Sequence, residues 1–498
     1  MVFSSNLFLF GFLPLFFPLY FLTPRRFRNL CLFLVSLLFY FWAEGPIVTW
    51  LLLCVVLNYY AGKWIARSSG EVARWILAGV LSLDLGLLLY YKYFNFFRDQ
   101  LCILLGLFNV HCQNAWQIAL PLGISFFVFK AMSYPIEVHR QIVRPADKLT
   151  DFGAYLTLFP QLMAGPMARF SETCDDLYGR TPGVDLFFSG LQRFALGLGK
   201  KVLIANSLGP MADRTFSMAG GELTTPLAWL GLLCYSFQIY YDFSGYSDMA
   251  IGIGRFLGFR FPENFNQPYR SRNITEFWRR WHITLSSWFR DFLFIPLEYK
   301  LARSAQPPPA ESGWFHRLAA RFGSVIGKGP WRTSFNLLVV FSLCGFWHGA
   351  AWTFLVWGML HGSWLAVEMG LKRRFKWQSS GVPGILLTYF LVLMGWVFFR
   401  AASCAAALQY LKALFGLQPA ATRFVFFPLR FYLQNSVIFY LICAALFAWL
   451  PLERFQKKEF WDSSWVTGAA AAGSLFLVVY SAVVLSTTGF NPFIYFRF

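Results

Sequence analysis

The sequence predicts an all-α membrane protein, a polytopic bundle of about 11–13 spanning or re-entrant helices with amphipathic helices on its cytoplasmic side. Composition is the first reason: of 498 residues, 57% are hydrophobic and 13% charged, a balance that ordinary soluble domains do not show. Long apolar runs are the second. SNLFLFGFLPLFFPLYFL at 5–22 and AAAGSLFLVVYSAVVL near the C-terminus each approach the roughly 20 residues that a bilayer core demands of a helix. Third, the runs do not alternate polar and apolar residues, which excludes the strands of a closed barrel.

The first run lacks a charged leading segment and is followed by LTPRRFRN instead of a small-residue cleavage site, so it is expected to be a retained span. Further spans are expected at 29–43, 46–62, 75–93, 117–134, 151–168, 187–206, 226–241, 334–371 (as one or two), 383–399, 434–451 and 465–486. Basic residues cluster between them, at Arg25, Arg26 and Arg28, at Lys63, Arg67 and Arg74, at Arg140, Arg144 and Lys148, from Arg255 to Arg303, in LKRRFKW at 371–377, and at Arg454, Lys457 and Lys458. Placing every cluster in the cytoplasm gives a consistent weave with both termini outside. The net charge of +19 is therefore read as topology, and no nucleic-acid partner is expected. Nine cysteines are scattered without zinc-type spacing, so no metal site is expected. Cys102 and Cys112 fall in a segment placed outside, where a disulfide can form.

Two stretches interrupt the alternation of spans and short loops. ARSAQPPPAESGW at 302–314 reads as a cytoplasmic loop. The other, 242–303, is rich in arginine, aromatic and amide residues. Its tail predicts a helix capped by Thr275, with Trp278, Trp281, His282, Leu285, Trp288 and Phe289 on one stripe. Such a helix could simply lie at the membrane interface, arginines toward the headgroups.

Of six histidines, His111, His139 and His316 stand in polar or loop contexts, and His361 in LHGSW is expected to be a hydrogen-bonded packing residue. His348 differs, because an ionisable group within an apolar stretch is unfavourable enough to suggest function. Glycines at 345, 349, 358 and 362 permit close backbone approach or a broken helix around it.

LPLGISFFVFKAMSY, FPQLMAGPMARF, the segment from YDFSGYSD through WRRWHITLSSWFRDFLFIPL, GFWHGAAWTFLVWG, GWVFFRA and NPFIYFRF together resemble the membrane-bound O-acyltransferase (MBOAT) family, most closely its alginate O-acetyltransferase, AlgI-like branch. The likeness runs from about Pro121 to the C-terminus, and implies one integral-membrane acyltransferase domain over 1–498 with a signature region at about 121–400. After FIPL the chain departs from the branch, reading EYKLARSAQPPPAES.

The resemblance implies that His348 is the catalytic base and His282 an orienting or donor-binding partner. Acyl donor and acceptor would meet from opposite sides of the membrane. Arg270, Arg272, Arg279, Arg280 and Arg290 would face the phosphates of a cytosolic donor, acetyl-CoA, with Trp281 and Asn273 beside them; positive-inside topology accounts for the same arginines. Oxyanion donors would come from the indoles of Trp281 and Trp347 or the amides of Asn264, Asn266 and Asn273. Asp242, Asp248, Glu276, Asp291 and Arg400 are expected to form salt bridges or caps. The implied product is an O-acetylated exported polysaccharide such as alginate or cellulose, made at the bacterial inner membrane with a periplasmic SGNH-type acetyltransferase partner and the secretion machinery. The alternatives are a DltB-like D-alanyl transferase, a transporter of polysaccharide or lipid-linked sugar, and a non-catalytic scaffold.

Overall fold

The computed structural model describes residues 3–110, 116–218, 222–304, 329–377, 379–417, 429–450, 464–487 and 494. Among these there are helices and no strand. The chain divides into two units, one of Met1–Asn206, Ile239–Glu263 and Leu452–Phe498, the other of Ser207–Gln238 and Asn264–Pro451. Among the described residues, four continuous helical stretches are both long and apolar enough to cross a membrane: Arg25–Arg67, Gly70–Gly106, Gly381–Arg400 and Gly468–Thr487. The other expected spans do not combine that length with that apolarity.

The first unit opens with α1 (Leu13–Leu22), α2 (Arg28–Glu44), α3 (Val48–Arg67), α4 (Gly70–Leu88) and α5 (Phe94–Gly106). It continues with α6 (Ile124–His139), α7 (Leu149–Thr157), α8 (Phe159–Leu162), α9 (Phe170–Gly179) and α10 (Val184–Gly199). The expected span 117–134 starts late, at Ile124, because Gly123 holds a left-handed φ of 75°.

The expected span 151–168 is not a spanning helix. It comprises α7, α8 and a non-helical stretch, broken where Leu158 leaves helical geometry ahead of Pro160 and where Gly165 takes a φ of 103°. All of 151–168 is buried, a setting in which irregular backbone is tolerated in such a protein. The buried Lys130 of α6 serves it, donating to the Tyr155 carbonyl (3.0 Å) and Gln161 Oε1 (3.1 Å).

After α11 (Asn206–Phe216) comes α12, whose 33 residues (Thr225–Leu257) give their first part to the second unit and the rest to the first. In the first unit α10 meets α12 backbone to backbone. A Cβ on Gly197 would stand 2.5 Å from the Gly245 carbonyl oxygen, and one on Gly252 2.7 Å from that of Gly190, a small-residue seam of the kind membrane helices use. Charge is neutralised along it. Lys201 pairs with Asp242 at 2.5 Å, both almost fully buried, and Asp248 takes Arg193 (2.7 Å) and Lys200 (2.6 Å). Asp242 Oδ2 also accepts from the backbone N–H of Ile494 (2.7 Å). The two aspartates are thus salt-bridged, as the sequence suggests. Cys102 is disulfide-bonded, while Cys112 lies outside the described residues.

The second unit continues with α13 (Ile274–Arg280), α14 (Ile283–Phe289), α15 (Ile295–Ser304), α16 (Gly329–His348), α17 (Trp352–Phe375), α18 (Gly381–Arg400), α19 (Cys404–Leu414), α20 (Leu429–Tyr432) and α21 (Asn435–Trp449). The final helix, α22 (Ser464–Thr487), belongs to the first unit and packs on α10.

The 334–371 region resolves into two helices, α16 and α17, that turn at Gly349–Ala351. The glycines explain their closeness. A Cβ on Gly358 would stand 2.9 Å from the Phe341 carbonyl carbon, and one on Gly362 3.1 Å from the Leu337 oxygen. At the point of departure from the AlgI-like pattern, Glu298 of α15 accepts from Arg332 Nε (2.7 Å), Thr333 Oγ1 (3.1 Å) and Asn336 Nδ2 (3.0 Å), joining α15 to α16. These donors hold its carboxyl below the usual range against the opposing effect of burial. His111, His316 and most of 302–314 lie outside the described residues.

Candidate active site

The single amphipathic helix expected from Thr275 is two helices, broken at the histidine. Asn273, not Thr275, caps the first, its Oδ1 accepting from the Glu276 N–H at 2.8 Å. Trp281 is extended and His282 left-handed, with φ 42° and ψ 54°. A non-glycine residue there costs on the order of 1 kcal/mol, so the surroundings must hold it.

They do so through the preceding loop. Asn266 N–H donates to the Arg280 carbonyl (2.9 Å) and Ile283 N–H to the Asn264 carbonyl (2.9 Å). The Asn264 side chain completes the clamp: its Oδ1 accepts from Thr284 Oγ1 (2.9 Å) and the Thr284 N–H (3.4 Å), and lies 3.0 Å from His282 Nδ1. An oxygen already accepting from an amide N–H is an acceptor for the imidazole too, so Nδ1 carries the proton and Nε2 is the basic nitrogen.

His348 is the last residue of α16, 3% exposed. Its ring centroid lies 5.0 Å from Trp347, 5.1 Å from Trp357 and 5.2 Å from Phe399. Trp347 is also 6.4 Å from His282, so the two expected histidines border one indole. Trp281 joins by another route, 5.0 Å from Trp396, which stacks on Trp357 at 6.1 Å. Three tryptophans and Phe399 therefore line a continuous aromatic wall ending at His348.

His361 belongs to this wall although the sequence reading sets it aside as packing. It lies one turn from Trp357 on α17, ring centroids 4.8 Å apart, and its Nδ1 accepts from Trp278 Nε1 at 3.2 Å. The spacing of 357 and 361 is visible in the sequence; the Trp278 partner, 83 residues away, is not.

The motif helix is anchored on α17 a second time. Glu368 accepts from the Ile274 N–H (2.8 Å) and Thr275 Oγ1 (2.7 Å), placing a carboxylate at the helix N-terminus.

Two of the expected donor-binding arginines are engaged by near neighbours. Arg270 donates to Gln267 Oε1 (2.7 Å), and Arg280 pairs with Glu276 (2.9 Å) while donating to the Asn266 carbonyl. Arg272 and Arg279 are exposed. Trp281 is buried and Asn273 is occupied as the cap. Asp291 pairs with Arg290, and Arg400 with Asp213.

Burial pushes the His282 pKa down to about 3, against about 6.5 for a free imidazole. Between those values the unfolded chain holds a proton that the folded chain refuses. The stabilising contribution is therefore complete above about pH 6.5 and is lost as pH falls, by up to about 1.4 kcal/mol per unit. Thermal unfolding in detergent from pH 7.5 to 5 is expected to show a steeper loss for the wild type than for His282→Gln; equal slopes would refute it.

The sequence profile of the MBOAT, membrane-bound O-acyltransferase family matches residues 47–306, covering His282 and ending before His348. A probable alginate O-acetylase AlgI from Azotobacter vinelandii is 43% identical over 84% of this chain and 78% of its own length. A protein of the same name from Pseudomonas putida is 37% identical over the whole of both chains. A peptidoglycan O-acetyltransferase from Helicobacter pylori is 33% identical over 84% of this chain and 80% of its own length. With a matching profile over more than half its residues and relatives spanning its length, the chain belongs to the membrane-bound O-acyltransferase family.

Proposed function

We propose that this O-acyltransferase passes acetyl groups from cytosolic acetyl-CoA across a bacterial inner membrane, for O-acetylation of an exported polysaccharide such as alginate or cellulose. The carrying observation is the placement of His348 at the tip of the α16–α17 turn, buried in an aromatic wall and sharing the Trp347 indole with His282. The relatives named as alginate O-acetylases support the substrate class. Acetylation is completed with a periplasmic SGNH-type partner alongside the secretion machinery.

His348 takes the proton of the acceptor hydroxyl as that oxygen attacks the thioester carbonyl carbon. The new C–O bond forms, the tetrahedral intermediate collapses, the C–S bond breaks, and the thiolate leaves with a proton returned by the imidazolium. His282, its tautomer fixed by Asn264, orients the donor side. Arg272 and Arg279, with Arg270 and Arg280 behind them, supply guanidinium groups to the donor phosphates. Trp281 forms a wall and Asn273 sets the start of the helix that bears two of these arginines.

Proteoliposomes with labelled acetyl-CoA on one face and the partner on the other test this reading. Labelled acetyl is expected on the partner or its polysaccharide. Transfer of D-alanine from a carrier protein, with none from acetyl-CoA, would overturn the donor assignment.

A further inference from the structure

We infer that the Nε2–H of His361 and the Nε1–H of Trp357 form a two-donor cradle for the carbonyl oxygen of the acyl donor, beside Gly395. This inference rests on the acyl-transfer reading of the site. Its first support is a tautomer. Trp278 Nε1 is a donor only, and it donates to His361 Nδ1 at 3.2 Å, so the neutral imidazole must carry its hydrogen on Nε2. His361 therefore presents a donor on its other side.

The second support is that this donor and its neighbour are orphaned. His361 and Trp357 are both fully buried, and neither His361 Nε2 nor Trp357 Nε1 has a hydrogen-bond partner among the described residues. Burying an N–H without an acceptor is unfavourable, and native proteins rarely do so without a reason. Packing alone would be served as well by apolar rings.

The third support is where the two groups meet. A Cβ built on Gly395 would lie 3.0 Å from His361 Nε2 and 3.5 Å from Trp357 Nε1. Both donors thus converge on a glycine of α18, which presents no side chain to them. Each lies in a dry, aromatic setting, where a hydrogen bond to developing negative charge is strongest. The Trp357 ring also touches His348, at 5.1 Å, so the cradle is one indole from the proposed base.

The role in the reaction follows directly. The thioester C=O accepts from both N–H groups; as the acceptor oxygen bonds to the carbonyl carbon, the C=O electron pair moves onto oxygen and both hydrogen bonds shorten. Collapse restores the C=O and expels the thiolate, with His348 handling the proton as above.

The test compares two stable analogues of acetyl-CoA, a ketone in which methylene replaces sulfur and a thioether with methylene in place of the carbonyl. The wild type is expected to bind the ketone about 10-fold or more tighter than the thioether. Trp357→Phe removes one N–H and keeps an aromatic ring, while Gly395→Ala fills the cradle. Each should bring the ratio toward one with thioether affinity little changed, and lower kcat by about 10²-fold. Thermal unfolding identifies any variant that fails to fold, and the two variants perturb the site in different ways. Equal wild-type affinity for the two analogues, or an undiminished ratio in both folded variants, overturns the cradle and leaves the donor reading intact. Failure of the wild type to bind either analogue overturns acetyl-CoA as donor and the cradle's ligand with it.

Discussion

His348→Ala is expected to retain its helical content and to lower acyl transfer by about 10²–10⁴-fold. The expectation follows from what surrounds the ring. Trp347, Trp357 and Phe399 are its aromatic neighbours, and none of these three side chains can take over the proton. His282 does not replace it either, since the clamp on its backbone and the Asn264 bond hold its ring in place, with the Trp347 indole next to both rings. His282→Ala should have the smaller effect, acting through the donor side and the shared indole. Rates with labelled donor, normalised to folded protein, decide the matter; full activity in a folded His348→Ala variant would remove the residue from the chemistry.

Gly358→Ala is expected to be strongly destabilising in the α16–α17 hairpin. The added carbon would stand against the Phe341 carbonyl group and within 3.2 Å of the Gly345 Cα. These are backbone atoms, which no rotamer change can move aside, so the cost should reach or exceed the upper end of the roughly 1–3 kcal/mol typical of overpacking. Gly370→Ala, in the same helix, is the control. Nothing lies within 4 Å of its added carbon, and the gain in helix propensity should stabilise by about 0.5–1 kcal/mol. Thermal unfolding of the two variants should move in opposite directions; parallel shifts would show that the hairpin is not held by backbone contact.

Those two substitutions also mark what the sequence makes legible. Composition and run length give the membrane class, and the glycines around FWHGAAW signal close backbone approach or a broken helix at the histidine. Neither depends on distant residues. The break between α13 and α14 was not legible, because the aromatic stripe fits an unbroken helix and the competing hold on His282 comes from Asn264, across a loop. The partner of His361 was hidden for a related reason: the group that fixes its tautomer is Trp278, 83 residues away. The 151–168 stretch was mistaken for a span because buried irregular backbone and a lipid-facing helix need the same apolar composition. The donor arginines were legible only as charge, since which of them are engaged depends on Gln267 and Glu276.

The double attachment of α13 to α17 bears on how the protein can move. Trp278 is fastened at His361 and the start of α13 at Glu368, two turns further along the same helix and about 10 Å away. Two fixings at that separation block rotation as well as translation, as two bolts do where one would leave a pivot. The motif helix and the hairpin must then travel as a single lever. Any gate that admits an acyl chain to His348 is to be sought on the opposite wall, where Trp396 and Phe399 ride on α18.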